Sequence, residues 1–254
     1  MKIIFKRIIA YLLDVFIITL ISTLLVSNKY ININYEKYQT VFETYNKEYN
    51  EYDYIIGALN DSFDDEKITK KEYSKITKRS NKYKIIMDNY FDDSKITKNE
   101  YNKIIKEIEE VYSNTQTTNN YKLIKYSTIP TIISVLTILL YFVVIQYNFN
   151  GQTLGKKIMK LRVVSNSDKK LTIYNFFIRS LIVNEIFINI LNIVFVNILS
   201  KNNYIFYNQI IYIITYILET CIIFSILIDK NNRGIHDYVS NSKVIEEKER
   251  EYEV

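Results

Sequence analysis

Four apolar stretches, each about as long as a membrane-spanning helix, constrain the fold of this chain more than any other feature. They occupy residues 8–26, 127–147, 174–199 and 205–228. A helix of about 20 residues is needed to cross a hydrocarbon core roughly 30 Å thick. The pattern therefore predicts an all-α integral membrane protein with about four transmembrane helices, the first of them within residues 1–27.

Two of these stretches allow a second interpretation. The first follows basic residues, as a signal peptide would, but Asp14 interrupts it and no small-x-small cleavage site follows, which favours an uncleaved anchor. The third is the weakest, because it carries several polar side chains. It is interpreted either as a span or as an amphipathic helix lying in the membrane interface. Its polar residues are Arg179, Asn184, Glu185, Asn189, Asn192 and Asn197.

A long polar insert, residues 28–124, separates the first apolar stretch from the second. Residues 63–78 are repeated at 91–106, and apolar or tyrosine residues recur at alternating spacings of three and four. This rhythm predicts a helical hairpin or coiled coil, and a Thr-x-x-Glu capping box begins a helix in each repeat. A calcium loop starting at Asp61 is a weaker alternative, since Glu66 occupies the position of the turn glycine.

Composition excludes several classes of site. With one cysteine and one histidine in 254 residues, no internal disulfide and no histidine or thiolate metal centre is expected. No nucleophile–base pairing or nucleotide fingerprint is present, so an enzyme and a cofactor are not expected. The net charge of +5 is too small to indicate nucleic-acid binding by itself.

The distribution of lysine and arginine predicts the orientation. Residues 1–7, 148–173 and 229–254 together hold fourteen, whereas the short loop 200–204 holds one. Basic residues of short loops concentrate on the cytoplasmic side of a membrane. The sequence thus predicts a multi-pass protein of the cell membrane with both termini cytoplasmic, an outer insert, a membrane part resuming at 125–245, and a charged tail at 246–254.

Three sequence blocks resemble the RDD family of bacterial membrane proteins. They are FKRIIAYLLDVF (5–16), NGQTLGKKIMKLRVV (150–164) and DKNNRGIHDYVSNSKVI (229–245). Their order and spacing around the spans make the resemblance specific, although Ser240 and Ser242 depart from the family pattern and the insert is unusually long. The resemblance implies a membrane protein of poorly defined activity, for which cation/proton exchange has been suggested.

The blocks and the spans supply the candidate site residues. Family-motif or ion-site candidates are Arg7, Asp14, Asp229, Arg233, His236 and Asp237. The central loop contributes Gly151, Thr153, Leu154, Gly155 and Lys156, in a basic amphipathic turn suited to anionic lipid headgroups. Further intramembrane candidates are Arg179, which matches an arginine common in the family, and the acidic residues Glu185 and Glu219, which could line a polar path.

Asp14 is the candidate with the clearest physical argument. A carboxylate in lipid costs several kcal/mol, so Asp14 should face the helix bundle and find a partner. Arg7 lies on the same helix face about 10 Å away and would stabilise its charge. Asp14 is thus either a structural anchor for helix packing or an ion or proton site.

Two functional hypotheses follow. The first is a transporter that moves a small cation or proton through a polar site around Asp14. The second is a non-transporting membrane scaffold whose insert binds a protein partner or a second copy of the chain.

Overall fold

The computed structural model describes residues 3–62, 68–78, 80–90, 97–167 and 170–247. The chain divides into two compact units: Met1–Tyr35 with Ser127–Val254, and Glu36–Tyr126. The second unit starts later than the predicted insert, at residue 36 instead of 28. Of the predicted charged tail, residues 248–254 lie outside the described residues.

The described elements are mostly helices. In chain order they are α1 (Ile3–Val26), α2 (Tyr35–Ser62), α3 (Lys70–Thr77), α4 (Asn81–Asp88), α5 (Lys98–Tyr126), α6 (Thr128–Asn148), α7 (Leu154–Ile158), β1 (Leu161–Ser165), α8 (Ile173–Val183), α9 (Ile186–Ile198), α10 (Lys201–Ile228), α11 (Ile235–Val239) and β2 (Ser242–Glu246).

Three of the described helices, α1, α6 and α10, are long and apolar enough to cross a membrane. Helix α1 buries every fourth residue from Ala10 to Ser22, the spacing that places side chains on one helix face. Helix α6 contains a π-helical section, Leu140–Ile145, which buries Tyr141. Such sections insert an extra residue into the helical ladder and are frequent at functional sites.

The third apolar stretch, predicted as a span or as an amphipathic helix in the membrane interface, forms a bent pair of helices. Helices α8 and α9 meet at an angle of 65°. If this bent pair crosses the membrane as a single broken span, the described residues contain four candidate spans instead of three. Glu185 lies at the break with a φ of 51°. The Asn184 N–H still donates to the Ser180 carbonyl at 3.1 Å, and its side chain donates to Ser180 Oγ at 2.9 Å, so the last turn of α8 closes directly before the break. Glu185 therefore precedes α9, whereas Asn189 and Asn192 lie within it.

A small antiparallel sheet joins two distant parts of the first unit. Strand β1 pairs with β2 from Leu161 opposite Glu246 to Ser165 opposite Ser242. The all-α prediction is therefore corrected here to a mostly helical fold with one two-stranded sheet. Alternate residues face inward, and Leu161 and Val163 join Val244 in an apolar core.

The second unit has an apolar core of its own, formed by buried residues of α2, α3, α4 and α5 together with Ile68, which precedes α3. They are Ile55, Leu59, Ile68, Ile76, Tyr83, Ile86, Met87, Ile104 and Ile108. Both predicted capping boxes are present: Thr69 N–H and Thr97 N–H each donate to the glutamate three residues on at 2.8 Å.

Coiled-coil packing along the whole predicted seam is not shown. Phe42 and Tyr49, near the start of that seam, are 42% and 50% exposed. The alternative calcium loop and the start of each repeat lie partly outside the described residues, at 63–67 and 91–96.

Candidate functional site

The carboxylate of Asp14 lies in a fully buried pocket where the central loop meets α1. Tyr141 Oη and the Gly155 N–H each donate to its Oδ1 at 2.7 Å. Thr153 Oγ1 donates to Oδ2 at 2.5 Å, and Lys156 Nζ lies 3.7 Å from the same oxygen. Three donors and an ammonium group thus satisfy the carboxylate, which anchors the loop to the helix.

Glycine is required where α7 meets α1. A Cβ at Gly155 would lie far inside van der Waals contact with the Ala10 carbonyl and 2.8 Å from Asp14 Oδ1. Thr153 caps α7 by accepting from the Lys156 N–H at 3.4 Å. Leu154 itself is exposed, and its N–H donates to Tyr141 Oη at 3.2 Å. The loop motif therefore places the Gly155 N–H against Asp14 and the Leu154 N–H against Tyr141, which itself donates to Asp14.

Gly151 has a separate role before this turn. Its φ is 89°, a conformation that residues with a Cβ rarely adopt, and a Cβ there would overlap the Val163 carbonyl. The Val163 N–H in turn donates to the Gly151 carbonyl at 3.0 Å. Gly151 thus allows the loop to pass directly over β1.

Lys156 is the cation of this pocket. Its pKa is lowered to about 8, mainly by burial; Arg179 and Arg7 contribute to the lowering, and the Asp14 carboxylate opposes it. Its Nζ also lies 5.3 Å from the centre of the Phe142 ring. The ammonium is therefore held in a largely desolvated place.

A second buried carboxylate, Asp237, joins three parts of the chain. Arg7 Nη2 of α1 lies 2.8 Å from its Oδ2, and Arg179 Nη1 of α8 pairs with its Oδ1. The Gly234 N–H donates to it at 3.0 Å. The expectation that Arg7 stabilises Asp14 directly is wrong, because the guanidinium reaches toward α11 and pairs with Asp237 instead.

His236 lies beside this ion cluster in its neutral form. Its Nε2 is 3.3 Å from both Asp237 Oδ2 and Arg7 Nη2. The pKa of His236 is lowered to about 4, mainly by burial and then by Arg179, against the opposing effect of Asp237. Burial acts to raise the pKa of Asp237, but Arg179, His236 and Arg7 outweigh it, so that pKa lies well below its usual value.

Asp229 and Arg233 form a separate group, although the sequence placed them in one cluster with His236 and Asp237. The Asp229 carboxylate accepts from the Arg233 N–H at 2.8 Å and from Tyr238 Oη at 2.6 Å, which lowers its pKa. The Arg233 guanidinium stacks over the Tyr238 ring at 4.0 Å. Its Nε donates to the Ser242 carbonyl at 3.2 Å. These residues shape the turn between α10 and β2.

Two acidic side chains meet at the break between α8 and α9. The side chains of Glu185 and Glu219 line the same cavity and lie close enough to interact with one another. Tyr11 lies near enough to interact electrostatically with both glutamates, and its hydroxyl donates to Asn184 Oδ1 at 3.4 Å. The sequence proposed each glutamate as a lining residue but gave no sign that they pair.

A cavity of about 1520 Å³ connects these groups within the first unit. Its walls are mainly apolar side chains of α1, α8, α9 and α10. One end, called the motif end below, is lined by Arg7, Lys156, Arg179 and His236. Further along, Tyr11, Asn184, Glu185 and Glu219 face the same space.

Three participants in the site were missed by sequence reasoning. Tyr141 binds Asp14, Tyr11 lies beside the glutamate pair, and Ser242 Oγ accepts from Arg179 Nη1 at 3.0 Å. Only Ser242 carried a signal, as a polar residue in a family block. Among the described residues, no group of three or more His, Cys, Asp or Glu could hold a metal ion.

Comparison with known proteins gives one match. A sequence profile described as the RDD family matches residues 95–241. The match includes the second block and most of the third, and it begins inside the predicted insert, after the first block. No curated protein and no solved structure shows a significant match to the chain.

Proposed function

Because the chain belongs to the RDD family, we propose that it is a cell-membrane transporter that exchanges protons for a small cation at the Glu185–Glu219 pair. The observation that carries the proposal is that these two acidic side chains line the same large cavity close to one another. An ionisable residue within a spanning segment is expensive in lipid and commonly marks an ion or proton pathway.

The break between α8 and α9 offers both acidic side chains and backbone carbonyl groups as ligands for a cation. When both carboxyl groups are deprotonated, the pair carries two negative charges that a bound cation can offset. Broken transmembrane helices of transporters expose backbone carbonyls that coordinate cations. Here α8 ends at Val183, so its last carbonyl groups lack a helical partner near Glu185. Proton release and cation binding would therefore be coupled at one place.

In this proposal Asp14 is a positioning residue. Its two oxygens already accept three hydrogen bonds and lie beside Lys156. An ion entering this pocket would have to displace those donors. We therefore place the exchanged ion at the glutamate pair, with Asp14 holding the loop and α1 in register around the cavity.

A flux assay in proteoliposomes tests the exchange. With a pH-sensitive dye inside and an imposed sodium or potassium gradient, the parent protein should move protons against the cation. Glu219→Gln and Glu185→Gln keep shape but remove the exchangeable charge, so each should reduce flux at least about tenfold, equivalent to roughly 1.4 kcal/mol. Glu246→Gln, at an exposed pair with Lys6, is the control and should keep parental flux.

Three results would reject the assignment. Parental flux in both glutamate variants, or no flux in the parent under any cation gradient, would remove the glutamate pair as an exchange site. Loss of flux in a well-folded Asp14→Asn protein, with the glutamate variants active, would move the ion to Asp14.

A second candidate function is a scaffold that binds a partner or a second copy through the insert. The observation in its favour is that Glu36–Tyr126 is a compact unit with its own apolar core. Expressed alone, residues 36–126 should be helical by circular dichroism without calcium. Sedimentation showing a stable dimer would support self-association; a spectrum that becomes helical only with calcium would support the calcium loop.

A further inference from the structure

The charges at the motif end of the cavity do not balance. Arg7, Lys156 and Arg179 all line this end, whereas the two carboxylates that pair with them, Asp14 and Asp237, are fully buried and do not line it. Among the described residues at the motif end, three cations against two carboxylates leave one excess positive charge. An unpaired charge in a desolvated place is strongly destabilising. Binding of a monovalent anion at the motif end would balance this charge.

Donors are also left over on the side that faces the cavity. Within the described residues, the hydrogen bonds of Arg179 all use Nη1, to Asp237 and to Ser242, so Nε and Nη2 remain for another acceptor. Lys156 Nζ donates to Thr153 Oγ1 at 3.2 Å and approaches Asp14 at 3.7 Å, which leaves one of its three protons. A planar guanidinium edge beside an ammonium is an arrangement that suits a phosphate group.

The rest of the cavity is long and apolar. Its walls include Ile8, Leu12 and Val15 of α1 and Leu218, Ile222 and Ile226 of α10. Sites for small molecules usually measure about 300–1,000 Å³, and this cavity is larger, at about 1520 Å³. Its shape and polarity thus match an amphiphile that has an anionic head and long apolar chains.

We propose that the cavity binds one anionic phospholipid, with its phosphate at Arg7, Lys156 and Arg179 and its acyl chains between α1 and α10. A phosphate diester carries one negative charge and so balances the one excess positive charge at the motif end. The apolar chains cover wall residues that no protein side chain covers. This inference concerns the motif end and does not depend on ion exchange at the glutamate pair.

Native mass spectrometry of the full-length protein tests the proposal. The protein is purified in mild detergent with equal amounts of phosphatidylglycerol and phosphatidylcholine. It should retain one phosphatidylglycerol per chain, with a preference of about tenfold or more over phosphatidylcholine. Lys156→Gln should reduce retention about tenfold, whereas Lys157→Gln, which removes the same charge from the exposed neighbour, should not.

A second pair of variants tests the apolar part without touching the ion pairs. Ile222→Trp fills the space beside α10 and should expel the lipid, whereas Ile217→Trp, on an exposed part of the same helix outside the cavity wall, should leave it bound. Size-exclusion chromatography checks that each variant is folded. If Lys156→Gln does not fold, the comparison of lipid retention in Ile222→Trp and Ile217→Trp provides the test.

Three outcomes would overturn the proposal. Equal retention of the two lipids would show that charge does not select the occupant. Equal loss in Lys156→Gln and Lys157→Gln would reduce the effect to general attraction at the basic surface. A lipid-free dimer that Ile222→Trp converts to monomer would show that a second copy of the chain fills the cavity.

Discussion

Asp237 illustrates how one buried carboxylate can organise side chains that are far apart in the chain. It accepts from two guanidinium groups and a backbone N–H while being fully inaccessible to solvent. Removing one member of a buried ion pair typically costs about 3–5 kcal/mol, because the partner charge stays buried. The cluster therefore ties the start of α1 and helix α8 to α11.

The neutral His236 in this cluster predicts a pH dependence of stability. Its folded pKa of about 4 lies below the unfolded value near 6.5, so the unfolded state takes up the proton first as pH falls. Stability should therefore fall between pH 7 and 5, by on the order of 2 kcal/mol. Arg7, Arg179 and Asp237 face the ring, and Asp237 stays ionised in this range because its own pKa is lowered.

Thermal unfolding of the detergent-solubilised protein at pH 7 and 5 measures this effect. His236→Gln cannot take up the proton, so its melting temperature should change less with pH than that of the parent. The same slope in both proteins would assign the pH dependence to other groups.

At the scale of elements, close approach of α7 to α1 depends on a missing side chain. Gly155→Ala should lower the melting temperature strongly, because a Cβ would overlap the Ala10 carbonyl and crowd Asp14. Gly57→Ala is the matched control: Gly57 lies in α2, and a Cβ there meets nothing within 4 Å. Alanine favours helix over glycine by about 1 kcal/mol, so this control should be neutral or stabilising.

Thermal unfolding of both alanine variants provides the test. A Gly155→Ala protein as stable as the parent would mean that the loop can sit further from α1 without loss. A destabilised Gly57→Ala protein would instead point to a requirement for glycine in α2.

The same scale explains why the capping boxes were predictable and the helix break was not. A capping box involves residues three apart, so local sequence carries the whole signal. At the break, Glu185 adopts a φ of 51° and its side chain meets Glu219 of α10. Glu219 comes from a distant part of the chain, and the apolar pattern across residues 174–199 does not indicate the break.

For the whole molecule, the distribution of basic residues predicts the topology. After Cys221→Ser, a cysteine at Asn166 should react with an impermeant thiol reagent only in permeabilised cells, since residues 148–173 carry six basic residues. A cysteine at Asn81, in α4, should react in intact cells. Labelling of Asn166 in intact cells would reverse the predicted orientation.

The sequence by itself determined the helices with a local or periodic signal. The apolar stretches gave α1, α6 and α10, and the ordered blocks gave the family, because length, spacing and composition suffice for both. Only the tertiary structure decided which charged side chains form ion pairs. Arg7 pairs with Asp237 instead of Asp14, and Lys156 is the cation beside Asp14. The physical reason is that an ion pair forms where long side chains converge in three dimensions, and sequence separation does not encode that convergence.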